Sequence, residues 1–551
     1  MANTIQQHRP LMTQNRTNPQ AVLDYHQQSK HHLQRYARSL GYMDWANQPN
    51  PFRFYEGAKQ LSLPLQVQSD SPSYDNLFGS HRIEPKTFDL PSLAGFLELS
   101  LGLSAWKQYG ASEWSLRMNP SSGNLHPTEC YLLLPEAAGL PACIAHYNPF
   151  LHSLEIRLEL GNEAAAAFEA LDGFGLILTS IFWRESWKYG ERAFRYTQHD
   201  IGHALGALRF SAAMQGWRMA LRPEPDSALL DHLLGFAEER QIAGELERAD
   251  CFCWVSGSDP WQADVLSWLR SIGTPSFRDT PNPLSPDHTD WPVIKQMARL
   301  TESPGYVPHP QEPASSQSRP VSLHSAEAII RRRRSAQTYD PNASHIGFAA
   351  FTQLLAATLP SVDAPFDLLP HSPQLHLMLF VHRVDDLSPG LYCLVRQAKD
   401  LPILHRHCDS KFSWQQVAGE LPLYLLQAGD CCSLAKTISC HQDIAGDSAF
   451  SLAMLARFEP LVRDAPWHYP RLFWEAGLIG QVLYLEAEAQ GLRGTGIGCY
   501  FDDLMHELLG LQDQTWQDLY HFTVGVPRED SRLQTKPPYH HLPRLRTAGE
   551  D

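Results

Sequence analysis

Apolar residues recur at helical spacing through Ile201, Leu205, Leu208 and Ala212, in a stretch that opens at Asp200 and is closed by Gly216. That spacing predicts a core-facing helix ended by a glycine. Without gaps, the same pattern returns 275 residues later: Glu475 to Leu492 aligns on Asp200 to Trp217, matching Gly202 with Gly477, Leu208 with Leu483, Ala212 with Ala487 and Gln215-Gly216 with Gln490-Gly491. The offset survives the next loop, where Leu233-Leu234-Gly235 meets Leu508-Leu509-Gly510. Agreement over both stretches predicts two copies of one fold. Gly202, Ala204 and Gly206 leave room for another helix at close range, although a buried core helix accounts for them equally well.

Upstream of each helix, a turn-prone polar segment precedes an apolar run: Pro120 to Leu134 in the first copy and Pro370 to Phe380 in the second. Each run reads as a buried strand, and Cys251–Val255 and Tyr520–Val524 read as closing strands. The expectation is an α+β fold in two tandem domains that form a pseudo-dimer within one chain.

Composition places the boundaries. Ten prolines fall between Pro275 and Pro320, amid Ser, Asp and His, and predict an irregular connector over 263–320. Residues 1–80, rich in Gln, His and Asn, read as an irregular arm whose aromatics (Tyr42, Trp45, Phe52, Phe54, Tyr55) pack along a surface. The two domains are then expected at 81–262 and 321–551.

Charge narrows the partners. With 45 basic and 60 acidic residues the formal net charge is −15, which argues against phosphate backbones and anionic membranes. No apolar run approaches the ~20 residues of a membrane span, and the first residues lack the apolar core of a secretory signal. Ten cysteines in 551 residues make no dense disulfide framework. A cytoplasmic protein without nucleic-acid or membrane partners is expected. Cys251-x-Cys253, Cys431-Cys432 with Cys440-His441, and His405-x-His407-Cys408 lack paired metal-knuckle spacing, so no metal is expected.

Four segments carry candidate chemistry. Arg331-Arg332-Arg333-Arg334-Ser335 is the densest positive charge in the chain, and guanidinium forks match phosphate oxygens; alone, it also describes a solvated basic face. Gly491 to Gly498 leaves the second long helix as a glycine-rich turn, where backbone amides can approach a planar ligand. Asn119 to Asn124 is turn-prone throughout. Lys188-Tyr189 precedes the first long helix and has the groups for proton transfer in a dry pocket, or equally those of a surface lysine beside a half-buried tyrosine. No Gly-x-Ser-x-Gly elbow, Walker loop or dinucleotide fingerprint occurs.

Together, Arg333-Arg334-Ser335, Pro120-Ser121-Ser122-Gly123-Asn124, Lys188-Tyr189-Gly190 and Glu475-x-Gly477 leading to Gly494-Thr495-Gly496 resemble the nitroreductase-like FMN oxidoreductases, and most closely their SagB-type dehydrogenase branch, which includes peptide azoline oxidases. The resemblance covers roughly 80–260 and 320–530. It implies a dimer-like arrangement with FMN in the interface. Arg333, Arg334 and Ser335 would hold its phosphate, with Gln337 standing where the family usually has a basic residue. Gly494, Thr495, Gly496 and Ile497 would lie by the isoalloxazine, and Pro120, Ser121, Ser122 and Asn124 would border it from the other copy. Lys188 and Tyr189 would be the catalytic pair.

The copies are unequal. The first offers only His81-Arg82 and Lys86 in place of Arg-Arg-Ser, and Gly216-Trp217-Arg218-Met219-Ala220 in place of the glycine turn; the second keeps both but has Pro370-His-Ser-Pro-Gln374 for the Pro-Ser loop. One FMN per chain is expected, with the second pseudo-symmetric site vacant. The expected activity is hydride transfer through flavin N5, on a small-molecule or peptide substrate or with NAD(P)H as donor, in a chain open to further oligomerisation. The alternative is a non-catalytic flavin-binding or sensing protein.

Overall fold

In the computed structural model, which describes residues 18–65, 71–78, 83–137, 140–308 and 324–542, the two copies of the repeat are two α+β units with matching sheets. The first half contributes β1 (Lys59–Ser62), β2 (Thr128–Leu134), β3 (Cys143–Asn148), β4 (Ser153–Glu159), β5 (Phe174–Ile181), β6 (Arg218–Leu221) and β7 (Glu247–Ser256), in the spatial order β1-β4-β3-β2-β5-β7-β6. The second contributes β8 (Leu375–Val381), β9 (Gly390–Leu394), β10 (Gln415–Ala418), β11 (Leu421–Ala428), β12 (Phe450–Arg457), β13 (Arg493–Ile497) and β14 (Trp516–Gly525), in the order β10-β11-β9-β8-β12-β14-β13. All neighbours are antiparallel. The strands β2, β5 and β8 are buried along their whole length, which is why their sequences run apolar instead of alternating.

The helices that position the site are α1 (Pro19–Gln28), α2 (Leu90–Leu101), α3 (Phe182–Tyr189), α4 (Ala193–Met214), α5 (Val265–Ser271), α6 (Pro292–Leu300), α7 (Ala326–Arg332), α8 (Phe348–Ala356) and α9 (His468–Ala489). The repeat segments are α4 and α9, which pack on each other inside one apolar core fed by both halves. Where they cross, a Cβ on Gly202 would overlap the Trp474 carbonyl, and one on Gly477 the His199 carbonyl. Backbones can meet this closely only without side chains. Each helix then ends at a left-handed glycine, Gly216 at φ 72° and Gly491 at φ 73°; Gly235 and Gly510 repeat this at 72° and 74°. Gly477→Ala must push the helices apart, and a loss of about 2–3 kcal/mol in urea-unfolding stability is expected, a magnitude typical of overpacked cores.

Two composition-based expectations differ from the structure. The proline-rich stretch is not irregular throughout: it holds α5 and α6, the latter burying Ile294, Met297 and Ala298 at helical spacing with Pro292 in its first turn. Proline there supplies a missing N–H where the helix needs none. Nor is the arm irregular throughout. Asn18 caps α1 by accepting the Ala21 N–H at 3.1 Å, α1 buries Val22, Leu23 and Tyr25, and β1 joins the first sheet. His81 and Arg82 lie outside the described residues, as do 1–17 and 309–323. Among the described residues no helix is long and apolar enough to cross a membrane.

Candidate functional site

A cleft of about 420 Å³ opens between the halves. One wall is the hairpin Leu103–Tyr109/Ser112–Arg117 and the loop that follows it; the other is the segment after α7. The hairpin is completed by Gln534–Lys536, near the far end of the chain, whose Lys536 pairs with Trp106. Each half thus supplies a piece of the same wall.

The tetra-arginine run divides in two. Arg331 pairs with Glu98 at 2.8 Å and Glu327 at 2.6 Å, and Arg332 with Glu488 at 3.3 Å. Among the described residues neither Arg333 nor Arg334 forms an ion pair with a carboxylate, and Glu488 acts on both from longer range. Arg333 is buried and donates from Nε to the Met118 carbonyl and from Nη2 to the Arg117 carbonyl, both at 3.0 Å, across the boundary between halves. Arg334 donates from Nη2 to the Ser104 carbonyl at 2.8 Å. Burial pulls both guanidinium pKa values down; that of Arg334 falls to about 10, helped by the neighbouring Arg333 and Arg493. The lining carries six basic side chains (Lys107, Arg117, Arg333, Arg334, Arg493, Arg528) against two acidic ones (Glu529, Asp530). Such an arrangement raises the affinity for an anion, which would relieve the repulsion.

Opposite lies the Pro120–Asn124 loop. It turns through Gly123 at φ 58° and Asn124 at φ 60°. Ser121 Oγ accepts the His126 N–H at 2.8 Å, and Asn124 donates to the Ser115 carbonyl at 2.9 Å. Ser122 turns away from the cleft: its N–H and hydroxyl both bond Asp200 Oδ1 at 3.0 Å, and burial lifts the Asp200 carboxyl to about 7. The second copy repeats the device, with the Gln374 N–H on Glu475 Oε2 at 2.9 Å; Asp200 and Glu475 are equivalent by the 275-residue offset.

The cleft therefore brings together Pro120, Ser121, Asn124, Arg333, Arg334, Ser335 and Gln337. Lys188 and Tyr189, on α3, do not line it but stand behind the loop: a Cβ on Gly123 would lie 2.6 Å from the Tyr189 hydroxyl and 3.1 Å from the Lys188 ammonium. Burial, with Glu185 next, raises the Tyr189 pKa and keeps the phenol protonated.

The glycine turn needs correction. Only Gly491 is a turn residue; Gly494, Thr495, Gly496 and Ile497 are the edge strand β13, paired in register with β14. Their glycines are there because Phe522 and Tyr520 of β14 lie over the strand where Cβ atoms would be. They meet the arginine segment indirectly: Ala336 donates its N–H to the Gly494 carbonyl at 3.2 Å and accepts from Thr495 Oγ1 at 2.8 Å, so only Arg493 of this strand lines the cleft.

Sequence reading missed Lys107, Arg117 and Arg528, which belong to no motif, and gave no site role to Asn119, His126 and Arg493, which lie inside segments it named. Three of them leave a buried atom without a partner: Arg117 Nε, Asn119 Oδ1 and His126 Nδ1. His126 gives its Nε2 proton to Asn124 Oδ1 at 3.0 Å, leaving Nδ1 a bare acceptor, and burial together with Arg117 keeps the ring neutral. Unpaired donors and acceptors beside unneutralised arginines suit a polar, anionic ligand. Glu185 was missed too. It lies one turn before Lys188, is fully buried, and has both carboxyl oxygens unpartnered.

At the pseudo-symmetric position, Met219 and Leu221 stand where β13 has Gly494 and Gly496, and Arg209, the equivalent of Tyr484, is tied to Asp367 at 2.7 and 2.9 Å.

Comparison with known proteins places this architecture. A solved structure from Anabaena variabilis, provisionally named a nitroreductase, superposes with a TM-score of 0.67 at 22% identity, covering 92% of this chain and 99% of that one. A protein from Methanocaldococcus jannaschii, also provisionally named a nitroreductase, is 32% identical over 117 residues, which are 20% of this chain. The chain spans only 59% of that relative's length. The sequence matches no protein-family model.

Proposed function

We propose that this chain, whose two halves have the nitroreductase-like fold, is an FMN-dependent oxidoreductase of SagB-type character, holding one FMN in the cleft between them. The observation that carries the reading is the pair Arg333 and Arg334, cations without a carboxylate partner, facing a loop contributed by the other half. FMN meets these requirements with a phosphate for the arginines and polar ring atoms for orphaned donors and acceptors. Bound there, it would supply hydride acceptance and donation.

The chain's own residues do the rest. Arg333, Arg334 and Ser335 fix the anion, with Gln337 at the rim; Asn119, Ser121 and Asn124 orient the polar edge; Pro120 and the hairpin exclude water. The strand Gly494–Ile497 holds Ala336, and through it the arginine segment, at a fixed distance from the second sheet. For a substrate that reaches past Gly123, Tyr189, kept as a phenol behind that loop, is the proton donor, with Lys188 beside it. The substrate is a small molecule or peptide, and NAD(P)H is the donor if the enzyme runs as a reductase.

The pseudo-symmetric position takes no flavin in this reading, because the first copy lacks the Arg-Arg-Ser segment and its Arg209 is tied to Asp367. The absorption spectrum of the purified chain and its flavin-to-protein ratio test the proposal together. A yellow protein with a ratio near one is expected; a ratio near two would refute the single composite site, and a colourless protein that takes up no added FMN would refute the flavin assignment.

A further inference from the structure

Beside Tyr196, outside the cleft, two cysteines meet. The segment that follows β13 is stitched to residues 438–442 at two points: the Phe501 N–H donates to the Ile438 carbonyl at 2.8 Å, and Gln442 Nε2 donates to the Cys499 carbonyl at 2.9 Å. Cys440 lies between these ties, which bring it beside Cys499, and each thiol acts on the ionisation of the other. Cys440 and His441 sit at φ 53° and 60°, a left-handed pair of non-glycine residues that costs backbone energy.

A third residue completes the cluster. His31 stands near Cys499 and acts on its ionisation. The Ala37 N–H donates to His31 Nδ1 at 2.9 Å, so Nδ1 must be bare and Nε2 carries the ring proton. The His31 backbone is itself fixed, its N–H on Asp502 Oδ2 at 2.9 Å and its bridge on Phe501. Arg192 reaches the preceding carbonyl, of Gly498, at 3.1 Å.

We infer that Cys499 and Cys440 form a thiol–disulfide site in which Cys499 reacts first with a hydroperoxide, His31 orienting it, and Cys440 resolves the product. The supporting electrostatics agree in direction: Cys440, then His31 and Arg192, pull the Cys499 thiol down while Cys440 itself is pushed up, and Cys432, the third partly exposed cysteine, is pushed up to about 11 by burial. The remaining seven cysteines are buried.

The chemistry balances. Sulfur of Cys499 attacks one peroxide oxygen, the O–O bond breaks, and Cys499 becomes a sulfenic acid as the peroxide leaves as alcohol or water. Sulfur of Cys440 then attacks Cys499; the S–S bond forms, the S–O bond breaks, and the hydroxyl departs as water with the Cys440 proton. Two thiols lose two electrons and the peroxide gains them. Because the Gly498 carbonyl accepts from Tyr196 at 2.9 Å, and Tyr196 packs 4.5 Å from Tyr189, the disulfide would stiffen the backbone that backs the Lys188–Tyr189 pair.

The site is independent of the flavin reading, because its test reads sulfur alone. The full-length protein is reduced, desalted and given limiting iodoacetamide near pH 7, and peptide mass mapping compares cysteines. Cys499 is expected to alkylate at least about tenfold faster than Cys432. After hydrogen peroxide, a disulfide-linked Cys440/Cys499 peptide pair that dithiothreitol releases is expected. Cys440→Ser should give no linked pair but a Cys499 sulfenic acid trapped by a 1,3-dione, and Cys499→Ser neither product. Equal alkylation rates, or no linked pair in the wild type, would overturn the assignment.

Discussion

Replacing Arg333 and Arg334 together by alanine is expected to raise the dissociation constant for FMN about 10²–10⁴-fold, leaving purified protein nearly colourless. Two charge-assisted hydrogen bonds to phosphate, at about 1.5–3 kcal/mol each, give that range. The companion change, Arg331→Ala with Arg332→Ala, has the same charge cost and a different outcome. Those two guanidinium groups are already spent on Glu98, Glu327 and Glu488, so flavin affinity should move less than about threefold. The contrast separates a phosphate clamp from a general basic field. Arg333 also ties the halves through the Arg117 and Met118 carbonyls, so a moderate fall in Tm accompanies the first variant. Arg333→Lys with Arg334→Lys keeps charge without the fork and should fall between. FMN titration followed by flavin fluorescence makes the measurement; equal weakening by both pairs would defeat the clamp.

Combining Lys188→Ala with Tyr189→Phe should lower turnover about 10²–10⁴-fold while flavin content stays near that of the unchanged chain. The two side chains stand behind Gly123 and not among the cleft-lining residues, so they can affect the reaction without holding the cofactor. Glu185 faces the same place, one helical turn earlier, as a buried carboxyl with no hydrogen-bond partner. Glu185→Gln is thus a useful comparison, since it keeps shape and removes the acid. Rates measured with excess FMN decide the matter: turnover within about threefold of the unchanged chain would remove Lys188 and Tyr189 from the mechanism.

Local pattern carried some features and not others. The gapless repeat placed α4 and α9 and their terminal glycines, because helix period and a left-handed stop are written in neighbouring residues. The Arg333–Ser335 and Pro120–Asn124 segments were legible as motifs. Gly494–Ile497 was misread as a turn, because glycine is chosen there for the bulk of Tyr520 and Phe522 on the next strand, a reason invisible in the local sequence. The helices α5 and α6 were hidden because 263–320 was read by its average composition: α5 precedes the prolines, and Pro292 opens α6.

By itself, then, the chain's order of residues determined that it is a doubled α+β fold and that its copies have diverged, since periodicity, glycine stops and motif loss are all local properties. Only the tertiary structure decided which arginines pair with carboxylates and which bond backbone carbonyls, because that depends on Glu98 and Glu488, more than 150 residues away on opposite sides of the run, and on the Ser104, Arg117 and Met118 carbonyls. It alone gathered Lys107, Asn119, His126 and Arg528 around the same cleft, and set Cys440 against Cys499. Contacts across such separations are fixed by how two glycine-notched helices let the halves close, and no window along the chain contains that information.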